Sequence, residues 1–192
     1  MELAAAALEL GRVRLEPFEA RHQAPLTALS AAEPDLFRHM PFPIVRDGYG
    51  AWFDALRADQ AAGRSIPHAI FLDGACVGQS CYLNIRRRDA GVEIGSTWYA
   101  KAAHGGIVNP SAKLLLIGHA FACGAERVEL KTDALNAQSR AAMLKMGAVF
   151  EGVHRKHMRR ADGSLRDTAW YSVVREDWAR VKAGLEARME RL

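Results

Sequence analysis

Several features of specialised protein classes are scarce or missing in this sequence. It has only three cysteines, Cys76, Cys81 and Cys123, an odd number without a C-x-x-C pair. This argues against a disulfide framework and favours reduced thiols in the cytoplasm. No long uncharged apolar run is present, so we expect no transmembrane helix and no membrane partner. The seven histidines show no metal-ligand spacing, and no metal is expected. His154 and His157, three residues apart in a predicted strand, should face opposite sides of it.

A strong charge of one sign is also missing. Lys and Arg number 26 against 22 Asp and Glu, a net charge of +4, which mildly favours acidic ligands. The dense basic cluster, Arg86–Arg88, lies between two predicted strands and is typical of a solvated hairpin turn. A nucleic-acid module using this cluster and the bases of 155–160 is an alternative. It lacks an aromatic platform, so nucleic acid is not the expected partner.

What remains is the composition of a globular protein. The 192 residues are 49% hydrophobic and 25% charged. A chain of this length can bury a hydrophobic core without stabilising disulfides or metal ions. We predict a single domain over 1–192, with a core over about residues 10–180 and an amphipathic helix over 176–192. The first seven residues have an acid where a signal peptide needs a base, and should form an extra helical turn or a frayed end.

The hydrophobic pattern predicts strands that alternate with helices. Asp73-Gly74, between two apolar runs, predicts the turn of a hairpin. Asn136 is the expected cap of a helix that ends at Gly147, with Ala141, Leu144 and Met146 inside. These elements favour one α/β (or α+β) domain around a mixed sheet. Strands are predicted at 12–17, 68–72, 76–85, 91–99, 126–132, 149–158 and 168–174, and helices at 20–32, 48–62, 110–122, 136–147 and 176–192.

The most informative stretch is 104–117, a glycine loop that leads into an apolar helix. Asn109 is a good N-cap, and Pro110 fits the first helical position. Such a helix start presents unpaired N–H groups and the positive end of the helix dipole, so it can hold a phosphate. With the preceding strand, the unit predicts a nucleotide-bearing cofactor. An ordinary capped helix after a tight turn fits the same residues equally well.

The order and spacing of several short motifs resemble a known family. The motifs are Glu93-Ile94-Gly95 with Trp98, the His104–Lys113 loop, Lys131-Thr132-Asp133, Asn136 with Ser139-Arg140, Leu144 with Gly147-Ala148, Glu151-Gly152-Val153, and Arg166-Asp167-Thr168 with Tyr171-Ser172. Together they resemble the GNAT superfamily of N-acetyltransferases, most closely the branch of the ribosomal-protein N-terminal (alanine) acetyltransferases. The implied fold is a single domain with a twisted, mostly antiparallel sheet flanked by helices.

The resemblance implies transfer of an acetyl group from acetyl-CoA to a primary amine, either a peptide N-terminus or a small molecule. The family's loop pattern, Gln/Arg-x-x-Gly-x-Gly/Ala, is not fully matched, since Ile107 and Asn109 occupy its glycine positions. Backbone N–H groups do most of this phosphate binding, so the cradle can still form. The implied cofactor-binding residues are Thr97, Trp98 and Tyr99 along the pantetheine arm, His104, Gly105, Gly106, Ile107, Val108 and Asn109 at the pyrophosphate, and Asn136 and Arg140.

Two residues are candidates for the chemistry. Glu93 is a lone acid in an otherwise apolar strand and is the candidate base, although a salt bridge would also explain it. Ser139 follows the cap Asn136 by three residues and is the candidate donor to the leaving thiolate. Its hydroxyl can instead bond the local backbone, and Asn136 can be a plain cap. Tyr99 is a second possible acid.

Three questions stay open at the level of sequence. A non-catalytic acyl-CoA-binding sensor or scaffold on the same fold is the alternative function. The acceptor pocket should involve the Met40–Pro43 loop, Trp52 and the segment 157–166, which do not identify the amine. A homodimer is expected through the apolar stripe of the last helix or through strand 168–174 as a sheet edge. Alternatively, Trp178, Val181 and Leu185 of that stripe pack on the protein's own sheet.

Overall fold

The computed structural model describes residues 1–40, 44–160 and 162–192, and the side chains of 44–47 are outside this description. The strands are β1 (Leu8–Leu10), β2 (Val13–Pro17), β3 (Ile66–Leu72), β4 (Ala75–Arg86), β5 (Gly91–Tyr99), β6 (Arg127–Asp133), β7 (Val149–Arg159) and β8 (Leu165–Val174). The helices are α1 (Gln23–Ala32), α2 (Ile44–Ala61), α3 (Val108–Ala122), α4 (Ala137–Met146) and α5 (Trp178–Met189).

The described strands form one sheet in the order β1-β2-β3-β4-β5-β6-β8-β7. Neighbouring strands are antiparallel except β5 and β6, which are parallel. One apolar cluster joins the sheet to α3 and α5, and a second, aromatic cluster joins it to α1 and α2. The predicted fold class, a mixed and mostly antiparallel sheet flanked by helices, is confirmed.

The contact between β5 and β6 is short. Only Gly91, Val92 and Glu93 pair with Arg127, Val128 and Glu129. Beyond this point β5 continues to Tyr99 and β6 to Asp133, and the two strands diverge. The strand end at 97–99 is therefore splayed from its neighbour, as expected, and its backbone is available to a ligand.

Local turn chemistry explains how β5 reaches this position. Asp73 and Gly74 have φ angles of 50° and 80° and form the predicted hairpin turn between β3 and β4. The β4–β5 ladder is interrupted by a bulge at which Ser96 has a φ of 50°. Opposite this bulge, a Cβ on Gly78 would lie 2.2 Å from the Trp98 carbonyl oxygen. Glycine is needed there because the two backbones approach so closely.

The start of α3 differs from the prediction. The helix begins at Val108, Ile107 holds the N-cap position, and no side chain caps it. The prediction of Asn109 as the N-cap is wrong because its side-chain oxygen accepts a hydrogen bond of 3.3 Å from the Tyr99 hydroxyl. Pro110 is the third helical residue rather than the first. It is tolerated because first-turn N–H groups have no intrahelical partner.

Helix α4 has the predicted ends and an unexpected orientation. The Asn136 side chain accepts the Ser139 N–H at 3.0 Å, and Gly147 ends the helix with a φ of 96°. The prediction that Ala141 and Leu144 lie inside is wrong, because both are exposed and only Met146 is buried. The helix packs along one edge, so most of its circumference faces solvent.

The N-terminal segment is more firmly packed than expected. The prediction of a helical turn or frayed end over residues 1–7 is wrong: Leu3 is buried and the segment leads into β1. The carbonyls of Ala4 and Ala6 accept hydrogen bonds from His119 and His68 at 3.0 and 3.1 Å. These bonds are non-local, so the local sequence gives no sign of them.

The apolar stripe of α5 packs against the protein's own core. Val181 and Leu185 are buried, and the Trp178 ring lies 5.6 Å from that of Phe121. Strand β8 lies between β6 and β7, so the prediction that it forms a sheet edge is wrong. Trp178, Val181 and Leu185 of the predicted stripe and both edges of β8 are thus occupied within the chain, whereas Leu192 at the end of the stripe is 59% exposed.

Candidate active site

A cavity of about 990 Å³ occupies the opening between β5 and β6. It reaches from the start of α3, across the divergent strand ends, to the segment before α2. Most of the residues proposed from the sequence meet here. Those that line it are Glu93, Thr97, Trp98, Tyr99, His104, Gly105, Asn109, Asn136 and Ser139.

Four predicted cofactor residues are not among those that line the cavity. Gly106, Ile107 and Val108 lie in the turn into α3 and can contribute only backbone groups. Arg140, proposed as a phosphate ligand, is held elsewhere. Its guanidinium donates to the Tyr171 hydroxyl at 3.1 Å and to the Ala134 carbonyl at 3.2 Å. With these contacts Arg140 is not among the residues that line the cavity.

The end of the cavity at α3 suits an anionic, amide-bearing cofactor. The His104 ring donates to the Tyr99 carbonyl at 2.9 Å, which ties the glycine loop to β5. Gly105 has a φ of 78° and open space around its missing Cβ. The uncapped N–H groups of α3 are available to a phosphate. In the cavity wall, Ser96 Oγ and Trp98 Nε1 are buried without a hydrogen-bond partner.

A lysine in the same wall was not assigned a role from the sequence. Lys113 is buried on α3, and its ammonium donates to Thr97 Oγ1 at 3.4 Å. Burial lowers the pKa of Lys113 to about 8. Within the described ranges no carboxylate lies within 4.0 Å of it. The only sequence signal was one lysine in an otherwise apolar helix.

Glu93 lies where the two strands separate. It is 1% exposed, and its Oε2 accepts hydrogen bonds from Asn84 at 2.6 Å and from Lys131 at 2.8 Å. The salt bridge considered as the alternative explanation is therefore present. Oε1 has no donor among the described residues and lies beside Gly95, where a Cβ would be only 2.8 Å away. Gly95 thus leaves room next to a carboxylate that is fixed by its other oxygen.

Ser139 and Tyr99 differ in what their hydroxyls do. Ser139 lies in the first turn of α4, and its hydroxyl makes no hydrogen bond to the described part of the chain. It is available to a ligand in the cavity. The Tyr99 hydroxyl already donates to Asn109, and burial raises the pKa of this phenol above its ordinary value. The Tyr99 hydroxyl is therefore less available than that of Ser139 to donate a hydrogen bond to a ligand.

The opposite end of the cavity adjoins a polar cluster that includes Arg166, the last residue of the predicted acceptor segment 157–166, but whose members were given no individual roles from the sequence. Asp133 is fully buried and pairs with Arg160 at 2.6 Å. Arg166 is buried on β8 and lines the cavity. It donates from Nε to Thr168 Oγ1 at 3.2 Å and from Nη1 to the His39 carbonyl at 3.3 Å. The available signal was the two-residue period that places Arg166 and Thr168 on one face of a strand.

The acceptor side agrees only partly with the prediction. Met40 lines the cavity, whereas residues 41–43 of the predicted loop lie outside the described residues. Trp52 is buried in the aromatic cluster with Phe37 and is not among the lining residues. Met158, in the predicted segment 157–166, lines the wall. The aromatic residues therefore support the pocket from behind.

His154 and His157 do not face opposite sides of β7, so that prediction is wrong. Their ring centroids are 5.5 Å apart, and both rings pack on Trp170. The ladder shifts between His154 and Met158, and Lys156 has a φ of 51°. This irregularity breaks the alternation of side chains that the sequence pattern assumed.

Other expectations concern metals, membranes and basic clusters. No group of three metal-ligating side chains occurs in the described ranges. Among the helices described, none combines the length and apolarity needed to cross a bilayer. The cluster 86–88 is at the predicted turn, and Arg86 pairs with Glu129 at 2.9 Å.

Comparison with known proteins places these features in a family. Residues 12–149 match the model of the acetyltransferase (GNAT) domain. No curated protein sequence is significantly similar to the chain.

Among solved structures, a protein of T. thermophilus assigned as an acetyltransferase is 34% identical, with a TM-score of 0.86 over 98% of this chain and 100% of its own. Mycobacterium smegmatis RimJ, in complex with CoA-disulfide, is 26% identical, with a TM-score of 0.81 over 95% and 92%. The Salmonella typhimurium enzyme that modifies the N-terminal serine of ribosomal protein L7/L12 is 16% identical (TM-score 0.78, 86% and 96% covered) and shares the fold.

Proposed function

The chain belongs to the GNAT acetyltransferase family and is an acetyl-CoA-dependent N-acetyltransferase, and from this premise we propose how its residues perform the transfer. The observation that supports the proposal most directly is one continuous cavity. It joins the uncapped start of α3 to a buried carboxylate through a gap in the sheet. A cofactor and an amine entering from opposite sides would meet in this gap.

The cofactor end is assigned from its available donors. The pyrophosphate would lie at the loop 104–109, where the start of α3 has no side-chain cap and His104, Gly105 and Asn109 line the cavity. The pantetheine amides would pair with the free edge of β5 at 97–99. The thiol would lie near Ser139 at the start of α4. Bound acetyl-CoA supplies a thioester whose carbonyl carbon is open to attack.

The acceptor amine must lose a proton to attack. A free α-amine has a pKa of about 7.7–8.0, so a modest base is sufficient near neutral pH. Glu93 is proposed to take this proton through Oε1, directly or through a water molecule, while Asn84 and Lys131 hold Oε2. A nitrogen–carbon bond forms, the carbon–sulfur bond breaks, and the Ser139 hydroxyl donates a hydrogen bond to the departing thiolate.

The acceptor is proposed to be a peptide N-terminus or a small-molecule amine, in the cytoplasm, where the three free cysteines stay reduced. An assay of thiol release from acetyl-CoA with a panel of peptides, amino acids and polyamines tests the function. We expect turnover with at least one class. Tight CoA binding without turnover over the whole panel would instead indicate a non-catalytic sensor and would overturn the proposal.

Replacing Ser139 with alanine should lower kcat by about tenfold, since one hydrogen bond to the developing thiolate is lost. The affinity for CoA should change little, because the backbone N–H that Asn136 accepts is retained. Steady-state kinetics and calorimetric titration with CoA measure the two effects. Asn136→Ala is the matched control: it removes the cap and should cost about 1 kcal/mol of stability. An equal loss of CoA affinity in Ser139→Ala would contradict the thiolate role.

A further inference from the structure

Two buried carboxylates at the polar end of the cavity are each paired with a cation. Glu93 pairs with Lys131 at 2.8 Å, and Asp133 pairs with Arg160 at 2.6 Å. Arg166 lies in the same wall and is 4% exposed. In the described part of the chain, no carboxylate oxygen lies within 4.0 Å of its guanidinium. The wall therefore carries a buried positive charge that the protein does not neutralise by direct pairing.

The hydrogen bonds of Arg166 leave several N–H donors of its guanidinium without a partner among the described residues. Nε and Nη1 donate to neutral oxygens, those of Thr168 and of the His39 backbone. Nη2 makes no hydrogen bond to any described residue. Asp133 and Glu93 are close enough to act on this charge electrostatically, but neither is hydrogen-bonded to it. A buried guanidinium without a directly paired anion is costly, and its planar fork matches a carboxylate. Because the residue lines an open cavity, a ligand can supply the missing partner.

The position of Arg166 separates it from the phosphate cradle of the cofactor. Ala169, Tyr171 and Val173 of β8 belong to the cluster that packs under α3. Since side chains alternate along a strand, Arg166 and Thr168 face the other side of the sheet. Glu93 faces that side too, because its neighbours Val92 and Ile94 belong to the same cluster under α3. The unpaired cation thus shares the sheet face of the candidate base.

We propose that Arg166 binds a carboxylate of the acceptor, so that the preferred substrates are amines that carry a carboxylate near the amino group. The inference rests on the proposed function, because it assigns the amine to the Glu93 side of the sheet. The carboxylate has two chemical sources: the α-carboxylate of a free amino acid, or the side chain of an acidic residue near a peptide N-terminus. Either would place an anion against the fork while the amine faces Glu93.

Matched substrate pairs test this inference. The first pair is alanine and alaninamide, with each rate referred to the fraction of neutral amine because the amine of alanine is the more basic, and the second is amidated Ala-Asp-Ala and amidated Ala-Asn-Ala. We expect the acid of one pair to be preferred over its amide by at least about tenfold in kcat/KM. Arg166→Gln should abolish this preference, and Arg166→Lys should restore part of it. Arg155→Gln, at an exposed position of β7, is the control and should leave the ratio unchanged.

The readout is the ratio within a pair, which a merely structural role would not alter. Equal use of acid and amide in both pairs, or an equal loss for both members in Arg166→Gln, overturns the inference. Calorimetric titration of the CoA-loaded protein with each compound measures binding without turnover. It therefore tests the carboxylate site independently of the proposed transferase function. Arg166-dependent binding of an acid without turnover would uphold this site and refute the transferase mechanism. If no acid is bound or acetylated in preference to its amide, the carboxylate site is refuted.

Discussion

Replacing Glu93 with glutamine should lower kcat/KM by about a hundredfold at pH 7 and by far less at pH 9. Glutamine keeps the size of the side chain and can still accept the hydrogen bond from Asn84. It cannot take a proton from the acceptor. An α-amine with a pKa of about 7.7–8.0 is mostly neutral at pH 9, so the missing base then matters less. The full pH–rate profile of the variant against the wild type measures this effect.

The same substitution also removes an ion pair, so a control must separate the two consequences. Glu129 on β6 pairs with Arg86 and Arg127, both at 2.9 Å, and is not among the residues that line the cavity. Glu129→Gln breaks comparable pairs and should leave the shape of the pH profile unchanged. If the Glu93→Gln profile runs parallel to that of the wild type, Glu93 is a structural partner of Lys131 and not the base.

Replacing Lys113 with methionine should raise the free energy of unfolding by about 3 kcal/mol at pH 7. Burial lowers the pKa of Lys113 from 10.5 to about 8. The unfolded chain therefore binds its proton more tightly than the folded protein does. At pH 7 the buried ammonium costs stability, and a methionine of similar length avoids that cost.

The pH dependence of stability tests separately whether the buried Lys113 ammonium costs stability. Between about pH 8 and 10.5 the unfolded state holds more protons at this site, so wild-type stability should rise relative to the variant. The free energies of unfolding of the two proteins, measured with urea, should therefore differ less above pH 10 than at pH 7. Lys145→Met, at an exposed position of α4, is the control and should change little. A variant less stable than wild type at pH 7 would show that the ammonium stabilises the fold.

Elements with local causes were predicted well from the sequence. The turn at Asp73-Gly74 and the cap at Asn136 depend on the chemistry of a few adjacent residues, and both are present. Strand β1 was missed because its alanine-rich approach has no local signal and depends on pairing with β2. The wrong prediction that His154 and His157 face opposite sides of β7 has the same origin, because a bulge depends on the partner strand.

The residues of the candidate site also divide into those with a local sequence signal and those that depend on distant parts of the chain. Glu93 stands out because one acid in an apolar strand is visible without the fold. Lys113 and Arg166 do not stand out, because their burial arises only when α3 and β8 pack beside the gap. The role of Arg140 stays a prediction: its spacing from Asn136 suits a phosphate ligand, and its guanidinium donates to Tyr171, a partner distant in sequence.

The short ladder between β5 and β6 also has a consequence for how the protein opens. Three residue pairs join the five strands of the first half to the three strands of the second. Regions joined by few hydrogen bonds separate at a lower free energy than regions joined by many. Backbone amides near this seam should therefore exchange with solvent sooner than those inside either half. A molecule that spans the gap touches both halves, so occupancy would make them exchange as one cooperative unit.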